Sequence, residues 1–426
     1  MDQQKKKIMR FTTSFFYMLM CSCSLQLTAQ QLTTEPAPEQ KVVFIIVDGI
    51  ANDMLKNTET PQLDAIAQDG GYTEAYVGGE KEGYSKTPTI SAVGYNSLLT
   101  GVWANKHNVW GNSIKDPNYN YPTIFRLFKD VYPNKSTAIF STWLDNRTKL
   151  IGTGLPQTQH VEVDYAFDGF ELDTIRFPHD PMRDYIKNID ALVATEASAY
   201  IKSNAPYLSW VYLEYSDDMG HGYGDSPQLT QAIKYEDSLI GKIYDAVKYR
   251  EQNHNEDWLI VVTTDHGRSA HDGKGHGGQS DRERATWIVT NSKATNSYFK
   301  NETPAIVDIL PTLTSFLDIP VADATRAEWD GVSLIDPVDL THPTATLKGD
   351  QLVITWENLT NPNTEVTLLS SKTNAFKTAG KDAYSKLGTT TTGAESYEIS
   401  LEKSDQAPVK ILIQTRHTTR NVWVTQ

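Results

Sequence analysis

The sequence has very little cysteine, and none of it lies beyond residue 23. Its two cysteines, Cys21 and Cys23, fall within an N-terminal segment that has the features of a cleaved leader. The processed chain is therefore expected to contain no disulfide bond and no thiolate ligand, although an exporting compartment would permit disulfides. Any metal ion must then be bound by histidine, carboxylate or hydroxyl groups.

The predicted leader is a signal peptide covering residues 1–29. It begins with a basic stretch, continues with an apolar run, and offers a cleavage position after Ala29. The apolar run is short and interrupted by Ser and Thr, and no later run approaches the length of a membrane span. We expect an exported protein, periplasmic or extracellular, without a transmembrane segment. Lipoprotein anchoring through Cys21 or Cys23 is the alternative.

Positive charge is also scarce. The formal net charge is −14, and removal of residues 1–29, with their four positive charges and one negative charge, changes it to −17. This acidity argues against nucleic acid or an anionic membrane as a partner. If the substrate is a small phosphate ester, the positive charge that binds it must be local, and metal ions are its simplest source.

Long apolar segments are present, and they alternate with helical patterns. Near-continuous apolar runs at residues 41–48, 136–142, 207–217 and 258–265 are typical of strands covered on both faces. An amphipathic helix with Pro227 in its first turn separates the last two runs. This alternation predicts an α/β sandwich with a mostly parallel central sheet, in a domain covering residues 40–336.

The pattern changes after Gly331. Short segments alternate apolar and polar residues, with Leu352, Ile354 and Trp356 on one face of the first. They predict a second domain over residues 342–426, a small β-sandwich that resembles a fibronectin type III or immunoglobulin-like module. Because this module has no metal-binding or nucleophilic cluster, we expect a structural addition, and a chain ending near Asp336 is expected to stay active.

Acidic residues end three of the predicted strands: Asp48, Asp217 and Asp265. In doubly wound sheets, ligands collect beyond the carboxyl ends of the strands. His221 follows Asp217 by four residues, so one turn can direct both side chains at one ion, with Gly220 allowing the backbone to bend.

The stretch 263–278 adds three histidines among small and polar residues: His266, His271 and His276. Oxygen and imidazole ligands without sulfur favour zinc, with manganese or iron as alternatives.

A short helix is predicted over residues 92–99, with Gly101 ending it and Ser91 at its N-cap. A hydroxyl at this place lies beside unpaired backbone amides and the positive end of the helix dipole, which suits a phosphoryl group. A simple capping role for Ser91 is the alternative.

Together these motifs resemble the type I phosphodiesterase/nucleotide pyrophosphatase family of the alkaline phosphatase superfamily. The resemblance spans about residues 40–335 and rests on IIVDG, TISAVGYNSLLTG, NVWGN, YSDDMGH, TTDHG and GHGG. It implies an alkaline-phosphatase-like α/β fold and a metal-dependent hydrolase of phosphoric esters.

The resemblance also implies roles for individual residues. Two zinc ions share the site in that family, and the matching ligands are Asp217, His221 and His276 for one ion and Asp48, Asp265 and His266 for the other. Ser91 matches the metal-contacting nucleophile that forms a covalent phosphoseryl intermediate, and Asn112 matches a phosphate-binding asparagine. His271 is left without a ligand role, and Arg268 either binds substrate or is solvated.

Two positions depart from the family pattern. Ser91 stands where the family usually has threonine, and Gly94 stands where it has asparagine. Serine is usual among the monoesterase relatives, so an alkaline-phosphatase-type phosphomonoesterase is the alternative. The lack of a clearly placed cation for a monoester dianion favours diesters, and a sulfatase is disfavoured because no Pro and Arg follow Ser91.

An alternative of another class is an inactive secreted binding protein on a phosphatase scaffold, which the six filled ligand positions disfavour. Aromatic residues around the nucleophile could stack on a nucleobase or simply pack: Tyr84, Tyr95, Trp103, Trp110 and Trp143.

Overall fold

The computed structural model describes residues 36–401 and 409–425, so the predicted leader, residues 1–29, lies outside the described residues. The strands of the described chain are, in order, β1 (Glu39–Val47), β2 (Gly71–Tyr76), β3 (Thr137–Ser141), β4 (Tyr165–Phe167), β5 (Leu208–Leu213), β6 (Glu256–Thr263), β7 (Ala285–Thr290), β8 (Leu340–Lys348), β9 (Gln351–Asn358), β10 (Glu365–Ser371), β11 (Ser385–Thr391), β12 (Ser396–Ser400), β13 (Lys410–Gln414) and β14 (Thr419–Trp423).

The α-helices are α1 (Asn52–Lys56), α2 (Pro61–Asp69), α3 (Ser91–Thr100), α4 (Ala104–His107), α5 (Ile124–Val131), α6 (Asp184–Asn204), α7 (Tyr215–Tyr223), α8 (Pro227–Asn253), α9 (Asp281–Arg284), α10 (Ser297–Asn301), α11 (Ile309–Phe316), α12 (Asp323–Arg326) and α13 (Phe376–Ala379). Pro227 begins α8, as predicted, because a first-turn proline sacrifices no helical hydrogen bond. None of the helices within the described residues combines the length and apolarity needed to cross a bilayer.

The first seven strands form one mixed sheet in the order β2-β7-β6-β1-β5-β3-β4. The strands from β6 to β4 in that order run parallel, whereas β7 and β2 are antiparallel to their neighbours. Alternate residues of β1 enter two different cores: Val42, Phe44 and Ile46 on one face, and Val43, Ile45 and Val47 on the other. Both faces are therefore covered, which explains the unbroken apolar run.

The strand predicted over residues 207–217 is shorter than expected, and Asp217 does not lie at its end. β5 stops at Leu213, and α7 begins at Tyr215. Three consecutive polar residues, Ser216, Asp217 and Asp218, suit the first turn of a helix, where the dipole stabilises negative charge, better than a buried strand. Asp217 and His221 thus lie one turn apart on a helix.

The remaining strands form two antiparallel sheets, β11-β10-β13-β14 and β12-β9-β8. Leu352, Ile354 and Trp356 of β9 are all buried in a core to which both sheets contribute. We call β8–β14, with α13, the C-terminal module. The described chain from Pro38 onward forms one compact unit, and the two domain boundaries stay a prediction.

Candidate active site

The candidate ligands leave the carboxyl edge of three neighbouring parallel strands. Asp48 directly follows β1, which lies between β5 and β6. Ile46 of β1 is level with Tyr212 of β5 and with Thr263 of β6, so the three strands end side by side. The segments after β5 and β6 supply most of the other ligands.

Asp48, Asp265 and His266 form what we call the inner group. His266 Nε2 lies 3.3 Å from Asp48 Oδ1 and 3.4 Å from Asp265 Oδ2, and all three side chains are at most 2% exposed. Within the described residues, these two carboxylate oxygens have no hydrogen-bond partner. Because an unpartnered buried carboxylate oxygen is costly, this geometry fits a bound cation.

The other oxygens of the inner group are already occupied. Asp48 Oδ2 accepts hydrogen bonds from the Tyr95 hydroxyl and, at 2.8 Å, from the Tyr212 hydroxyl. Asp265 Oδ1 accepts from the Gly49 N–H at 3.1 Å. Each carboxylate is therefore held by one oxygen while the second is left toward His266, as expected for oriented metal ligands.

Asp217, His221 and His276 form the outer group. His221 Nε2 lies 3.2 Å from Asp217 Oδ2 and 3.0 Å from His276 Nε2. His276 Nδ1 donates to the Thr89 carbonyl at 2.9 Å, which leaves Nε2 for the site. The His221 side chain is 48% exposed, so this group opens to solvent.

The two groups are contiguous. Ligand atoms of Asp217, His221 and His276 lie within 4.8 Å of one another, and so do those of Asp48, Asp217 and His266. All six predicted ligands are thus brought to one place, with Asp217 between the groups. Carboxylate and imidazole donors in this arrangement fit divalent cations such as zinc.

The local charges favour added positive charge at the inner group. Burial alone would lower the pKa of His266, but the carboxylates of Asp265 and Asp48 raise it to about 9. Burial and the neighbouring charge of His266 lower the pKa of His276 to about 4. Burial opposes ionisation of Asp217, yet the hydrogen bond from His221 and the charge of Arg268 bring its pKa below the usual range.

Ser91 is the first residue of α3, and Ile90, not Ser91, is the N-cap. A capping serine would use its hydroxyl on the helix backbone, whereas Ser91 Oγ lies 3.3 Å from His266 Nε2. The predicted end of the helix at Gly101 is confirmed, with a φ of 68° that suits glycine. The hydroxyl therefore faces the inner group.

Asn112 adjoins Ser91 at the start of α3. Its Oδ1 accepts a hydrogen bond from the Ala92 N–H at 3.0 Å. The Ala92 amide is therefore engaged by Asn112, and the side-chain NH₂ of Asn112 remains as a hydrogen-bond donor.

Gly94 has a steric explanation. A Cβ at this position would lie 2.6 Å from the Asp265 carbonyl oxygen and 2.9 Å from Asp265 Cβ. The close approach of α3 to Asp265 excludes the asparagine that the family usually has there.

Arg268 is neither solvated nor placed to bind substrate. Its fully buried guanidinium pairs with Asp217 Oδ1, donates to the Asp217 carbonyl at 2.9 Å, and donates to the Gly49 carbonyl at 2.8 Å. Longer bonds of 3.4 Å reach the carbonyls of Gly273 and Lys274, just before His276. Arg268 therefore ties the helix of Asp217 to the loop of His276.

The same arginine explains Gly220, which does not bend the backbone as predicted. Gly220 lies within α7, and a Cβ there would fall 1.9 Å from Arg268 Cζ. The glycine is needed for space rather than for chain reversal.

His271 lies outside both groups, with its side chain 92% exposed. Among the aromatic candidates, Tyr95 and Trp103 are buried and therefore pack in the core, whereas Tyr84 contacts Trp423 but is still 57% exposed. Trp110, which is 47% exposed, and the partly buried Trp143 retain an accessible surface.

Sequence reasoning missed the residues that orient the ligands. Tyr95 stands four residues after Ser91 on α3, a spacing that places both on one helix face, and this signal could have been used. Tyr212 sits within an apolar strand and carries no such signal. Arg268 was recognised, but its burial depends on Gly49 and Gly220, which are distant in sequence.

Residues 42–311 match the family described as type I phosphodiesterase / nucleotide pyrophosphatase. Human bis(5'-adenosyl)-triphosphatase ENPP4 is 23% identical over 238 residues, which are 53% of this chain and 47% of that protein. Human ectonucleotide pyrophosphatase/phosphodiesterase family member 7 is 22% identical over 252 residues, 55% of this chain and 49% of that protein. The chain spans about half the length of these curated relatives.

Among solved structures, a 2-O GAG sulfatase matches with a TM-score of 0.50 and 13% identity, over 86% of each chain. At this identity the likeness concerns the fold alone. Together with the mostly parallel sheet, it confirms the predicted alkaline-phosphatase-like α/β class.

Proposed function

Because the chain belongs to the type I phosphodiesterase/nucleotide pyrophosphatase family, we propose that it is a metal-dependent hydrolase of phosphoric diesters that acts through a phosphoseryl intermediate on Ser91. The observation that carries this proposal is the position of Ser91 Oγ, 3.3 Å from His266 Nε2 and beside two groups of metal-type ligands. Export is part of the proposal and rests on the sequence of residues 1–29.

In the proposed reaction, the Ser91 hydroxyl gives its proton to solvent and its oxygen attacks phosphorus in line. The ester oxygen departs with the electrons of the broken P–O bond and takes a proton from solvent. Divalent ions, zinc by preference, would lower the pKa of the Ser91 hydroxyl and stabilise the departing oxygen. Asn112 donates from its NH₂ to a non-bridging oxygen as charge develops there. Water then displaces Ser91 from phosphorus, which releases the phosphate product and restores the hydroxyl.

Neighbouring side chains and one backbone carbonyl hold the ligands in position for this reaction. Tyr95 and Tyr212 fix Asp48, Arg268 fixes Asp217, and the Thr89 carbonyl fixes the tautomer of His276. Such positioning avoids reorganisation during the reaction.

The preference for diesters rests on Arg268. A monoester dianion calls for an added cation, and the contacts of this arginine are all to Asp217 and to backbone carbonyls. The monoesterase alternative is supported by serine, rather than threonine, at position 91.

The test compares p-nitrophenyl phosphate, bis-p-nitrophenyl phosphate and p-nitrophenyl thymidine monophosphate on the zinc-loaded protein. Faster turnover of the two diesters is expected, and turnover of the monoester alone would overturn the diester preference. No turnover of any ester by folded, metal-loaded protein would favour the inactive binding protein. Net retention at a chiral phosphorus would support the phosphoseryl intermediate, whereas inversion would contradict it.

A further inference from the structure

The segment that carries Asn112 is a loop closed at its base, which we call the asparagine loop and define as residues 104–121. It begins with α4, and the Asn118 N–H donates to the His107 carbonyl at 2.9 Å, which joins its two ends. Asn112 lies at the other end of the loop, bonded to the Ala92 N–H. The position of the base therefore controls how Asn112 meets the start of α3.

The C-terminal module binds both ends of this base through one residue. Lys377 Nζ donates to the Asn105 carbonyl at 3.1 Å. The Lys377 carbonyl accepts bonds of 2.9 Å from the side-chain amides of Asn118 and Asn120.

The neighbouring residue Phe376 anchors this contact. Only 2% of Phe376 is exposed, and its ring centroid lies 5.0 Å from that of Tyr121. Phe376 belongs to a core cluster of the α/β region rather than to the core of the module. The helix α13 is therefore packed into the same core as α3.

A second contact comes from β14. Lys106 of α4 is fully buried, and its Nζ donates to Asn421 Oδ1 at 2.8 Å and pairs with Asp330 Oδ1 at 2.5 Å. The ring of Trp423 lies 4.7 Å from that of Tyr84, in the segment that precedes Ser91. Asp330, which precedes the module, balances the charge of Lys106, so the module contributes through the Asn421 hydrogen bond. Moving β14 away would leave one buried donor of Lys106 without its partner, which is costly.

We propose that the C-terminal module is a positioning element of the active site, in which Lys377 and Asn421 hold the base of the asparagine loop so that Asn112 meets the phosphoryl group on Ser91. The expected effect of the module on catalysis rests on the proposed function. The module acts through the loop, and a misplacement of about 1 Å in such a group can cost about 100-fold in rate. A chain ending near Asp336 is therefore no longer expected to stay active.

The test uses the full chain with Lys377→Ala, the conservative variant Lys377→Arg, and Lys386→Ala as a matched control on an exposed site of β11. Hydrogen–deuterium exchange of residues 104–121, metal content, kcat and KM are measured for each. Lys377→Ala is expected to speed exchange in the loop and to lower kcat about tenfold with little change in KM, since Asn112 acts on developing charge. Lys377→Arg is expected to retain most activity, and Lys386→Ala all of it.

Phe376→Leu provides a second route, since it keeps apolar bulk and removes the ring on Tyr121, and it is expected to loosen the loop similarly. Wild-type exchange and kcat in both variants would overturn the proposal. Faster exchange with unchanged kcat would also overturn it, because the module would then only stabilise the loop. If the wild-type protein hydrolyses no ester, the proposed function fails, and the exchange measurement alone decides whether the module holds the loop.

Discussion

The inner and outer ligand groups use the same kinds of side chain, yet they are built differently. The inner group follows two central strands directly, and its side chains are at most 2% exposed. The outer group draws on α7 and on a glycine-rich loop, and His221 is 48% exposed. One group is thus wholly buried, whereas the other is open to solvent at His221.

The two groups also differ in the contacts that hold their ligand side chains in position. The inner carboxylates are held by short contacts from adjacent strands and α3, including the hydroxyls of Tyr95 and Tyr212. The outer group depends on Arg268, which connects Asp217 with the chain just before His276. We therefore expect the inner group to persist without metal, and the outer group to depend on Arg268 and on bound ions.

The largest expected effect is a loss of turnover on substitution of Ser91, whose hydroxyl faces the inner group. Ser91→Ala should lower turnover by at least about 1,000-fold, because the attacking oxygen is removed while both ligand groups remain. Metal content, measured by elemental analysis, should stay unchanged. Ser113→Ala, an exposed serine beside Asn112, is the control and should keep its activity. Full activity of Ser91→Ala would show that another group attacks phosphorus.

A smaller loss of turnover is expected when only the outer ion is removed. His221→Ala should remove the outer ion and lower turnover about 100-fold, while the inner ion is retained because its ligands are buried. Brief dialysis of the wild-type protein against a weak chelator should likewise yield chains with one ion. Elemental analysis and activity are followed together. Loss of both ions at the same rate would show that the groups act as one site.

The sequence predicts the inner half of this site better than the outer half, and the reason is physical. Asp48 and Asp265 end long apolar runs, and such runs mark buried parallel strands whose carboxyl ends meet. Asp217 was misplaced because the apolar run of β5 passes into α7 without a glycine or proline to mark the boundary.

The remaining errors share a cause. The burial of Arg268 and the space required at Gly220 both depend on contacts between segments far apart in the chain. A local pattern reports which residue types are present, but not which backbone will approach them.

The next prediction sharpens the contrast by weakening the outer group alone. Arg268→Lys keeps the charge but loses the forked contacts to Asp217 and the loop of His276, since a lysine has one donor centre. Affinity for the outer ion should fall about 10- to 100-fold, with the inner ion unaffected. Calorimetric titration of the metal-free variant with zinc checks this. Two ions bound with wild-type affinities, in a folded variant, would contradict a positioning role for Arg268.

The smallest expected effect is the number of protons released when the inner group binds zinc. The carboxylates of Asp265 and Asp48 raise the pKa of His266 to about 9, so the metal-free imidazole is charged at pH 7 and stabilises the folded chain until the pH rises through that value. Zinc requires the neutral imidazole, so its binding must release this proton.

His221→Ala isolates this count, because only the inner group then binds an ion. Zinc binding to that variant should release at least about one proton at pH 7 and fewer at pH 9, where His266 is already about half neutral. Burial and the charge of Asp48 also raise the pKa of Asp265, and because Asp265 and His266 are in contact, the released proton belongs to the pair rather than to either residue alone. Calorimetry in two buffers of different ionisation enthalpy gives the number of protons. Two results would contradict this prediction: no proton release at pH 7, or proton release that increases with pH. Either would mean that the His266 imidazole is not charged in the metal-free protein, and that burial does not distinguish the inner group from the outer group.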